Sequence, residues 1–143
     1  MTNQPADTNC HFLLIAEDNP ADVGLIRMAL AQHGVKSELH VIQDGETAVR
    51  FIERVESDGS ANCPALAIVD LNLPRLGGDE ILRRVRASKK WHAVPVIVMS
   101  SSLSPRDRAE ALNYGASAYF SKPSDLEQFL TLGALVKANL PEF

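Results

Sequence analysis

Short apolar segments of strand length alternate along this chain with longer segments that have the marks of helices. The strand-like segments cover 11–16, 35–42, 65–70, 94–100 and 118–121. Helices are predicted from 20 to about 33, and over about 45–56, 78–88, 105–114 and 125–139. A chain that alternates in this way builds a parallel sheet with helices on both faces, because right-handed crossovers place each helix against the sheet.

The length and the segment order fit one domain. At 143 residues the chain is long enough to bury a sizeable core. The segments 65–70 and 94–100 are apolar up to their last residue, which is typical of strands covered on both faces. We therefore predict an α/β fold of the flavodoxin-like (βα)5 type, with a doubly wound five-stranded parallel sheet in the order 2-1-3-4-5.

Capping residues mark the predicted helix starts. Asn19 and Ser104 are each followed by a proline, a pairing that favours the first turn of a helix. Asp44 is expected to cap the second helix and Ser124 the last one.

Four strands end on polar residues that suit a metal ion and a phosphate group. These residues are Glu17 and Asp18 after the first strand, Asp70 at the end of the third, Ser100 at the end of the fourth and Lys122 after the fifth. Ligands bind at the carboxyl ends of parallel strands, so we expect these side chains to meet at one edge of the sheet. The predicted order places strands 1 and 3 side by side, which brings the three carboxylates together.

Neighbouring carboxylates favour a hard divalent cation, Mg²⁺ or Mn²⁺, bound through oxygen atoms. The candidate ligands are Glu17, Asp18, Asp70 and the backbone carbonyl of Asn72. With a metal screening its charge, Asp70 can attack a phosphorus atom and form an acyl phosphate. Lys122 can pair with one phosphate oxygen and Ser100 can donate a hydrogen bond to another.

Composition argues against other classes of partner. The net charge is −4, and no basic run alternates with aromatic residues, so we expect no nucleic-acid binding. The basic residues between 83 and 90 are interpreted as the solvated face and the C-terminal end of a helix, where cations suit the helix dipole. We expect no membrane association and a cytoplasmic location, because the sequence shows neither a signal peptide nor an apolar run of about 20 residues.

These motifs resemble the receiver domain of bacterial two-component response regulators. The resemblance covers about 11–140, which leaves a flexible tail at 1–10, a short tail at 141–143 and no output domain. Asp70, within IVDLNLPRLGG, resembles the phosphoaccepting aspartate of that family, and Glu17-Asp18 resembles its metal-binding pair. Ser100 lies where the family has a switch Thr or Ser, and Tyr119 resembles its switch aromatic residue.

The resemblance carries further expectations. Lys122-Pro123 resembles a Lys-Pro pair whose peptide bond is usually cis in the family. Glu17 replaces the commoner Asp, Ser100 replaces the commoner Thr, and the loop at 57–64 is longer than in compact receivers. The EDNPAD segment and the long loop resemble single-domain regulators that are partnered with bacterial phytochromes.

The function implied by this resemblance is that of a stand-alone response regulator in a two-component phosphorelay. A sensor histidine kinase, in the phytochrome case a bacteriophytochrome, would phosphorylate Asp70 in a metal-dependent reaction. Phosphorylation would then change a protein interaction surface. Under this interpretation the protein is not an enzyme beyond its own phosphorylation and autodephosphorylation.

The last helix offers a candidate interaction surface. Its predicted core stripe consists of Leu126, Phe129, Leu130, Val136 and Leu140. Leu132 and Leu135 fall outside that stripe, so they are either isolated exposed leucines or part of a partner surface. The second alternative predicts a homodimer through the face formed by helix 4, strand 5 and helix 5.

Three other functional classes compete with this interpretation. A haloacid-dehalogenase-like phosphatase also uses a strand-end Asp and Mg²⁺, but its second Asp would fall at Asn72 here. A degenerate receiver that only binds a partner would not need the complete acidic set. A flavodoxin-like electron carrier would need a Ser/Thr/Gly phosphate loop in place of Glu17-Asp18.

Overall fold

The centre of the molecule is a five-stranded parallel sheet in the predicted order 2-1-3-4-5. A computed structural model describes residues 12–141. The strands are β1 (Phe12–Ala16), β2 (Glu38–Ile42), β3 (Leu66–Asp70), β4 (Val96–Ser100) and β5 (Ala118–Ser121). The helices are α1 (Pro20–Gln32), α2 (Gly45–Ser57), α3 (Gly78–Ala87), α4 (Pro105–Asn113), α5 (Leu126–Leu130) and α6 (Leu132–Asn139). The flavodoxin-like prediction is therefore confirmed.

Most strand boundaries match the predicted ones within two residues, and β2 begins three residues later than predicted. The predicted start of the first strand, residue 11, lies outside the described residues. All five residues of β3 and of β4 are buried, as their apolar sequences predict. Within residues 12–141, no helix is both long enough and apolar enough to cross a bilayer.

Two apolar layers cover the sheet, one on each face. Alternate residues along each strand point to opposite faces of the sheet. On one face, residues of α2 and α3 pack against strand residues such as Leu14, Val69 and Val98. On the other face, residues of α1, α5 and α6 pack against the intervening strand residues, such as Leu13 and Ile68. The strand register fixes which residues share an edge, because Ala16 pairs with Val69 and Asp70 pairs with Met99.

Three predicted helix caps form as expected. Asn19 Oδ1 accepts a hydrogen bond from the Ala21 amide at 2.9 Å, and Asp44 Oδ1 accepts one from the Thr47 amide at 2.8 Å. Ser104 likewise accepts backbone hydrogen bonds at the start of α4. These caps satisfy amide groups that have no partner within the helix.

The prediction for the last helix is wrong in two respects. The capping position is occupied by Asp125 rather than Ser124, and the helix is divided at Thr131. The division rotates the later residues relative to the predicted stripe. Leu132 is accordingly fully buried, and Leu126, at the start of the helix, is 48% exposed against the prediction.

The last helix also lies close to α1. A Cβ atom added at Gly133 would collide with the Ala29 carbonyl and the His33 ring, so glycine permits this close approach. Leu135 is partly buried against the apolar layer between the sheet and α1. Leu132 thus belongs to the core, and Leu135 packs at the edge of the core, so neither is an isolated exposed leucine.

Two of the basic residues between 83 and 90 have structural roles that the sequence interpretation missed. Arg86 donates hydrogen bonds to the carbonyls of Gly115, His92 and Val94 at 2.7–3.0 Å. Lys90 donates to two carbonyls at the carboxyl end of α2. These cations satisfy carbonyl groups in loops and at a helix end, so the solvated-face interpretation is wrong for both of them.

Candidate functional site

Three carboxylates meet at the carboxyl end of the sheet. One oxygen from each of Glu17, Asp18 and Asp70 lies within 4.8 Å of the other two. Glu17 is 2% exposed and Asp70 is 5% exposed, whereas Asp18 faces solvent. The sequence prediction that β1 and β3 deliver these side chains to one place is confirmed.

Lys122 reaches this cluster from the end of β5. Its Nζ donates a hydrogen bond to Asp70 Oδ2 at 3.0 Å and lies 2.9 Å from Glu17 Oε1. The residue is fixed at its backbone, where the Lys122 amide donates to the Ser100 carbonyl at 2.7 Å. The Lys122-Pro123 peptide bond is trans, so the expectation of a cis bond is wrong. The lysine reaches the cluster with the trans bond.

Asp22 is a member of the site that the sequence analysis missed. Lys122 Nζ donates a hydrogen bond to Asp22 Oδ2 at 2.8 Å, the shortest of the three contacts of this ammonium group. Asp22 lies in the first turn of α1 and not at a strand end. The sequence carries no local signal for this role, because it depends on the packing of α1 next to Lys122.

Burial and neighbouring charges perturb the ionisation of the site. Burial raises the pKa of Glu17 to about 7, although the Lys122 ammonium and the Asn19 amide partly oppose this shift. Burial by itself would lower the pKa of Lys122, but hydrogen bonds to Asp22, Glu17 and Asp70 outweigh it and raise that pKa. The lysine therefore stays protonated at neutral pH, while Glu17 in the metal-free protein gains or loses its proton near pH 7.

The loop after β3 holds the Asp70 carboxylate from its other side. Asp70 Oδ1 accepts a hydrogen bond from the Asn72 amide at 3.1 Å. Helix α3 begins directly against this strand end, since a Cβ atom at Gly78 would collide with the Asp70 carbonyl oxygen. Arg75, in the same loop, has a left-handed backbone conformation with φ of 70°.

Ser100 and Tyr119 are connected through one residue, Ser102. Ser100 is fully buried, and its Oγ accepts a hydrogen bond from the Ser102 amide at 3.0 Å. Tyr119 is also buried, and its hydroxyl donates to the Ser102 carbonyl at 3.3 Å. The tyrosine ring already points inward in this structure, and the two side chains predicted to act as a switch contact the same peptide segment.

The donor set fits a divalent cation. The buried Glu17 Oε1 lies 2.9 Å from the Lys122 ammonium, and Glu17 Oε2 accepts a hydrogen bond from the Asn19 amide at 3.1 Å. A carboxylate has about four lone-pair sites, so it can hold a further cation beside these partners. One oxygen from each of Glu17, Asp18 and Asp70 forms an all-oxygen set of the kind that Mg²⁺ and Mn²⁺ prefer.

The carboxyl edge of this (βα)5 sheet carries a carboxylate cluster, a largely buried lysine and a buried serine. Together these groups define a phosphoryl-handling module of the α/β class. The chain belongs to the response regulator receiver domain family, whose model matches residues 13–132. Receiver domains act as phosphoacceptors in two-component signalling, and nothing in the site supports the phosphatase alternative. Asn72 stands where the acid of that class would lie.

Known relatives span most of the chain. The probable methanogenesis regulatory protein FilR2 of Methanothrix harundinacea is 30% identical over 116 residues, which cover 81% of this chain and 74% of FilR2. The phosphorylated cyanobacterial phytochrome response regulator RcpA is 28% identical, with a TM-score of 0.78 and coverage of 89% of this chain and 91% of RcpA. Response regulator RPA3017, in red light signalling of R. palustris, is 29% identical, with a TM-score of 0.76 over 93% of this chain and 99% of RPA3017.

Proposed function

We propose that Asp70 accepts a phosphoryl group from a phosphohistidine of a sensor histidine kinase. The observation that carries this proposal is the 3.0 Å hydrogen bond from Lys122 to Asp70 Oδ2 within the carboxylate cluster. A carboxylate that attacks phosphorus needs a nearby cation, because negative charge accumulates on the transferred oxygens. RcpA, which this chain resembles, was crystallised in a phosphorylated form, and this supports phosphorylation of the present chain as well.

The transfer exchanges one bond to phosphorus for another. A carboxylate oxygen of Asp70 forms the new bond as the phosphorus–nitrogen bond of the phosphohistidine breaks. The imidazole leaves with the electron pair and takes a proton from solvent. Lys122, already next to the carboxylate, pairs with an oxygen of the transferred group. Attack of water on the aspartyl phosphate releases phosphate and regenerates Asp70.

Glu17, Asp18, Asp70 and the backbone carbonyl of Asn72 are the proposed metal ligands. A bound divalent cation would supply charge neutralisation at the phosphoryl oxygens. Support comes from the cluster of carboxylate oxygens within 4.8 Å of one another and from the burial of Glu17 and Asp70.

Ser100 and Tyr119 form the proposed switch. The new phosphoryl group carries about −1.5 to −2 charge, so the Ser100 hydroxyl gains a strong acceptor at Asp70. Movement of Ser100 towards that acceptor changes its bond to the Ser102 amide. Tyr119 responds, because its hydroxyl is bonded to the carbonyl of the same residue.

The surface that reads the switch is proposed to be a homodimer face built on α4, β5 and α5. Four large apolar side chains are exposed on or next to these helices: Leu103, Leu112, Tyr114 and Leu126. Clusters of exposed apolar residues mark contact surfaces more often than single ones do. Met28 is an exposed apolar residue on α1, outside these three elements, and provides a control.

Phytochrome light signalling is the proposed pathway. Two of the solved structures that this chain resembles at 28–29% identity are a phytochrome response regulator and a red light signalling regulator. A bacteriophytochrome with kinase activity is then the expected phosphodonor. Phosphotransfer from such a kinase should differ between red and far-red light. Absence of transfer in both, from a kinase that is itself phosphorylated, would exclude that kinase as the donor.

The phosphoacceptor proposal is tested by incubation with acetyl phosphate and Mg²⁺, followed by intact mass analysis. Wild type should gain one phosphoryl group, and Asp70→Asn should gain none. Asp44→Asn is the matched control, since Asp44 also follows a strand and Asn caps a helix equally well. Labelling that persists in Asp70→Asn would assign the acceptor to another residue. Repeated turnover of a small phosphate ester would favour a phosphatase.

The dimer proposal is tested by sedimentation with and without a beryllofluoride phosphoryl mimic. The mimic should promote dimerisation of wild type and of Met28→Ser, and Leu112→Ser and Leu126→Ser should weaken the dimer. A monomer at every concentration in the presence of the mimic would exclude this face as a homodimer surface.

A further inference from the structure

The Lys122 ammonium is shared among three carboxylates, and one of them lies outside the metal-binding cluster. Glu17 and Asp70 belong to the cluster of candidate ligands, while Asp22 approaches Lys122 from α1. The Asp22 and Lys122 side chains are 19% and 13% exposed. At this degree of burial, an ion pair is screened much less than on the surface.

We expect the affinity of the site for a divalent cation to depend on how the Lys122 ammonium is shared among Glu17, Asp22 and Asp70. A divalent cation near Glu17 and Asp70 is repelled by Lys122 and must compete with it for their oxygens. A third carboxylate on the ammonium reduces both effects, because it offsets part of the positive charge and gives the lysine another partner. The contact of Lys122 with Asp22, at 2.8 Å, is at least as short as its contacts with the two candidate ligands.

We propose that Asp22 is a positioning residue for Lys122, which holds the ammonium towards α1 and thereby keeps the oxygens of Glu17 and Asp70 available to the divalent cation and the phosphoryl donor. This inference rests on the proposed function of the site. Asp22 is not one of the three carboxylates of the candidate metal cluster, and its hydrogen bond in the site is the one with Lys122. It acts only through the lysine that neutralises them.

A competing explanation is that Asp22 merely stabilises α1, since an acid in the first turn complements the helix dipole. The chain contains a matched control for this effect. Asp107 stands at the third position of α4, as Asp22 does in α1, and both helices begin with a capping residue followed by proline. Asp107 is not among the carboxylates that contact Lys122 in the described part of the chain.

The experiment is calorimetric titration of Mg²⁺ into wild type, Asp22→Asn, Asp22→Glu and Asp107→Asn. Asp22→Asn keeps an oxygen that can accept the lysine hydrogen bond but removes the charge. Its Mg²⁺ dissociation constant should rise about tenfold. Asp22→Glu should recover most of the affinity, and Asp107→Asn should bind as wild type does. Urea unfolding of each variant separates loss of affinity from loss of folding.

Labelling by acetyl phosphate provides the second measurement. Asp22→Asn should need a correspondingly higher Mg²⁺ concentration for half-maximal labelling and should reach the wild-type extent when saturated. Equal Mg²⁺ affinity in Asp22→Asn and wild type would overturn the role of Asp22 and leave the proposed function intact. A wild-type protein that neither binds Mg²⁺ nor becomes labelled would overturn the proposed function itself.

Discussion

The Lys122 ammonium lies 3.0 Å from Asp70 Oδ2, although 52 residues separate the two in the chain. β4 lies between the strands that carry them, so their backbones are about 10 Å apart at the usual strand spacing. Ser100 ends the intervening strand, and its carbonyl accepts a hydrogen bond from the Lys122 amide at 2.7 Å. This backbone contact holds the start of the lysine at the sheet edge, and the long side chain covers the remaining distance to Asp70.

The buried carboxyl of Glu17 should make the stability of the metal-free protein depend on pH. Its pKa is raised from 4.5 to about 7 in the folded chain, so between these values the folded state keeps a proton that the unfolded state releases. The free energy of unfolding therefore falls as pH rises from about 4.5 to about 7. Glu17→Gln has no titrating group at this position, so it should not show this fall in the free energy of unfolding.

In urea unfolding with EDTA, the advantage of Glu17→Gln over wild type should grow by on the order of 2 kcal/mol between pH 4 and pH 8. Added Mg²⁺ should stabilise wild type and have little effect on the variant. Parallel stability curves for the two proteins would show that Glu17 does not hold this proton.

Gly78 should be intolerant of any side chain because α3 starts against the end of β3. A Cβ atom there would lie 2.8 Å from Val69 Cγ1 and collide with the Asp70 carbonyl oxygen. Gly78→Ala should cost about 2 kcal/mol of unfolding free energy and reduce labelling of Asp70. Gly24→Ala is the control, since nothing lies within 4 Å of that position.

The control should itself become more stable by about 0.5–1 kcal/mol, because alanine favours the helix interior. Thermal unfolding and acetyl phosphate labelling measure the two effects. A Gly78→Ala protein as stable and as readily labelled as wild type would show that α3 can move away from β3 without cost.

The sheet and the strand-end residues could be predicted because both depend on local sequence. β3 and β4 are apolar along their length, and a strand that ends on Asp70 or Ser100 must deliver it to the carboxyl edge. Strand order then brings Glu17 and Asp70 together without further information.

The remaining features depend on tertiary contacts that no local pattern encodes. Asp22 enters the site because α1 packs with its first turn next to Lys122. The division of the last helix at Thr131 accompanies the close approach of Gly133 to α1. Arg86 looked like a solvated residue because its acceptors are carbonyls of distant loops.

Arg75 should carry avoidable backbone strain in the loop behind Asp70. Its φ of 70° is unfavourable for a residue with a long side chain, whereas asparagine tolerates the left-handed region well. Its ion pair with Glu46 is largely exposed and contributes little. Arg75→Asn should raise the unfolding free energy by about 0.5–1 kcal/mol in thermal unfolding. Arg75→Ala keeps the strain and should show no such gain; a gain of equal size would attribute the effect to the arginine side chain.

Arg86 should be the most important cation of the fold outside the phosphoryl site. Its guanidinium donates to the carbonyls of Gly115, Val94 and His92 and so ties α3 to the loops before β4 and β5. Arg86→Met keeps much of the aliphatic packing but leaves these carbonyls without their donor. The expected loss is about 2–3 kcal/mol in urea unfolding.

The matched control for this prediction is Arg83→Met on the same helix. Arg83 is half-exposed, and its ion pairs with Asp79 and Glu80 are within the helix surface. Such pairs contribute about 0–1 kcal/mol, so this variant should stay close to wild type. An equal loss of unfolding free energy in the two variants would mean that the positive charge of α3 stabilises the fold, and not the carbonyl contacts of Arg86. Retained labelling of Asp70 in folded Arg86→Met would confine its role to the scaffold, because Arg86 is not among the residues that contact the carboxylate cluster in the described chain.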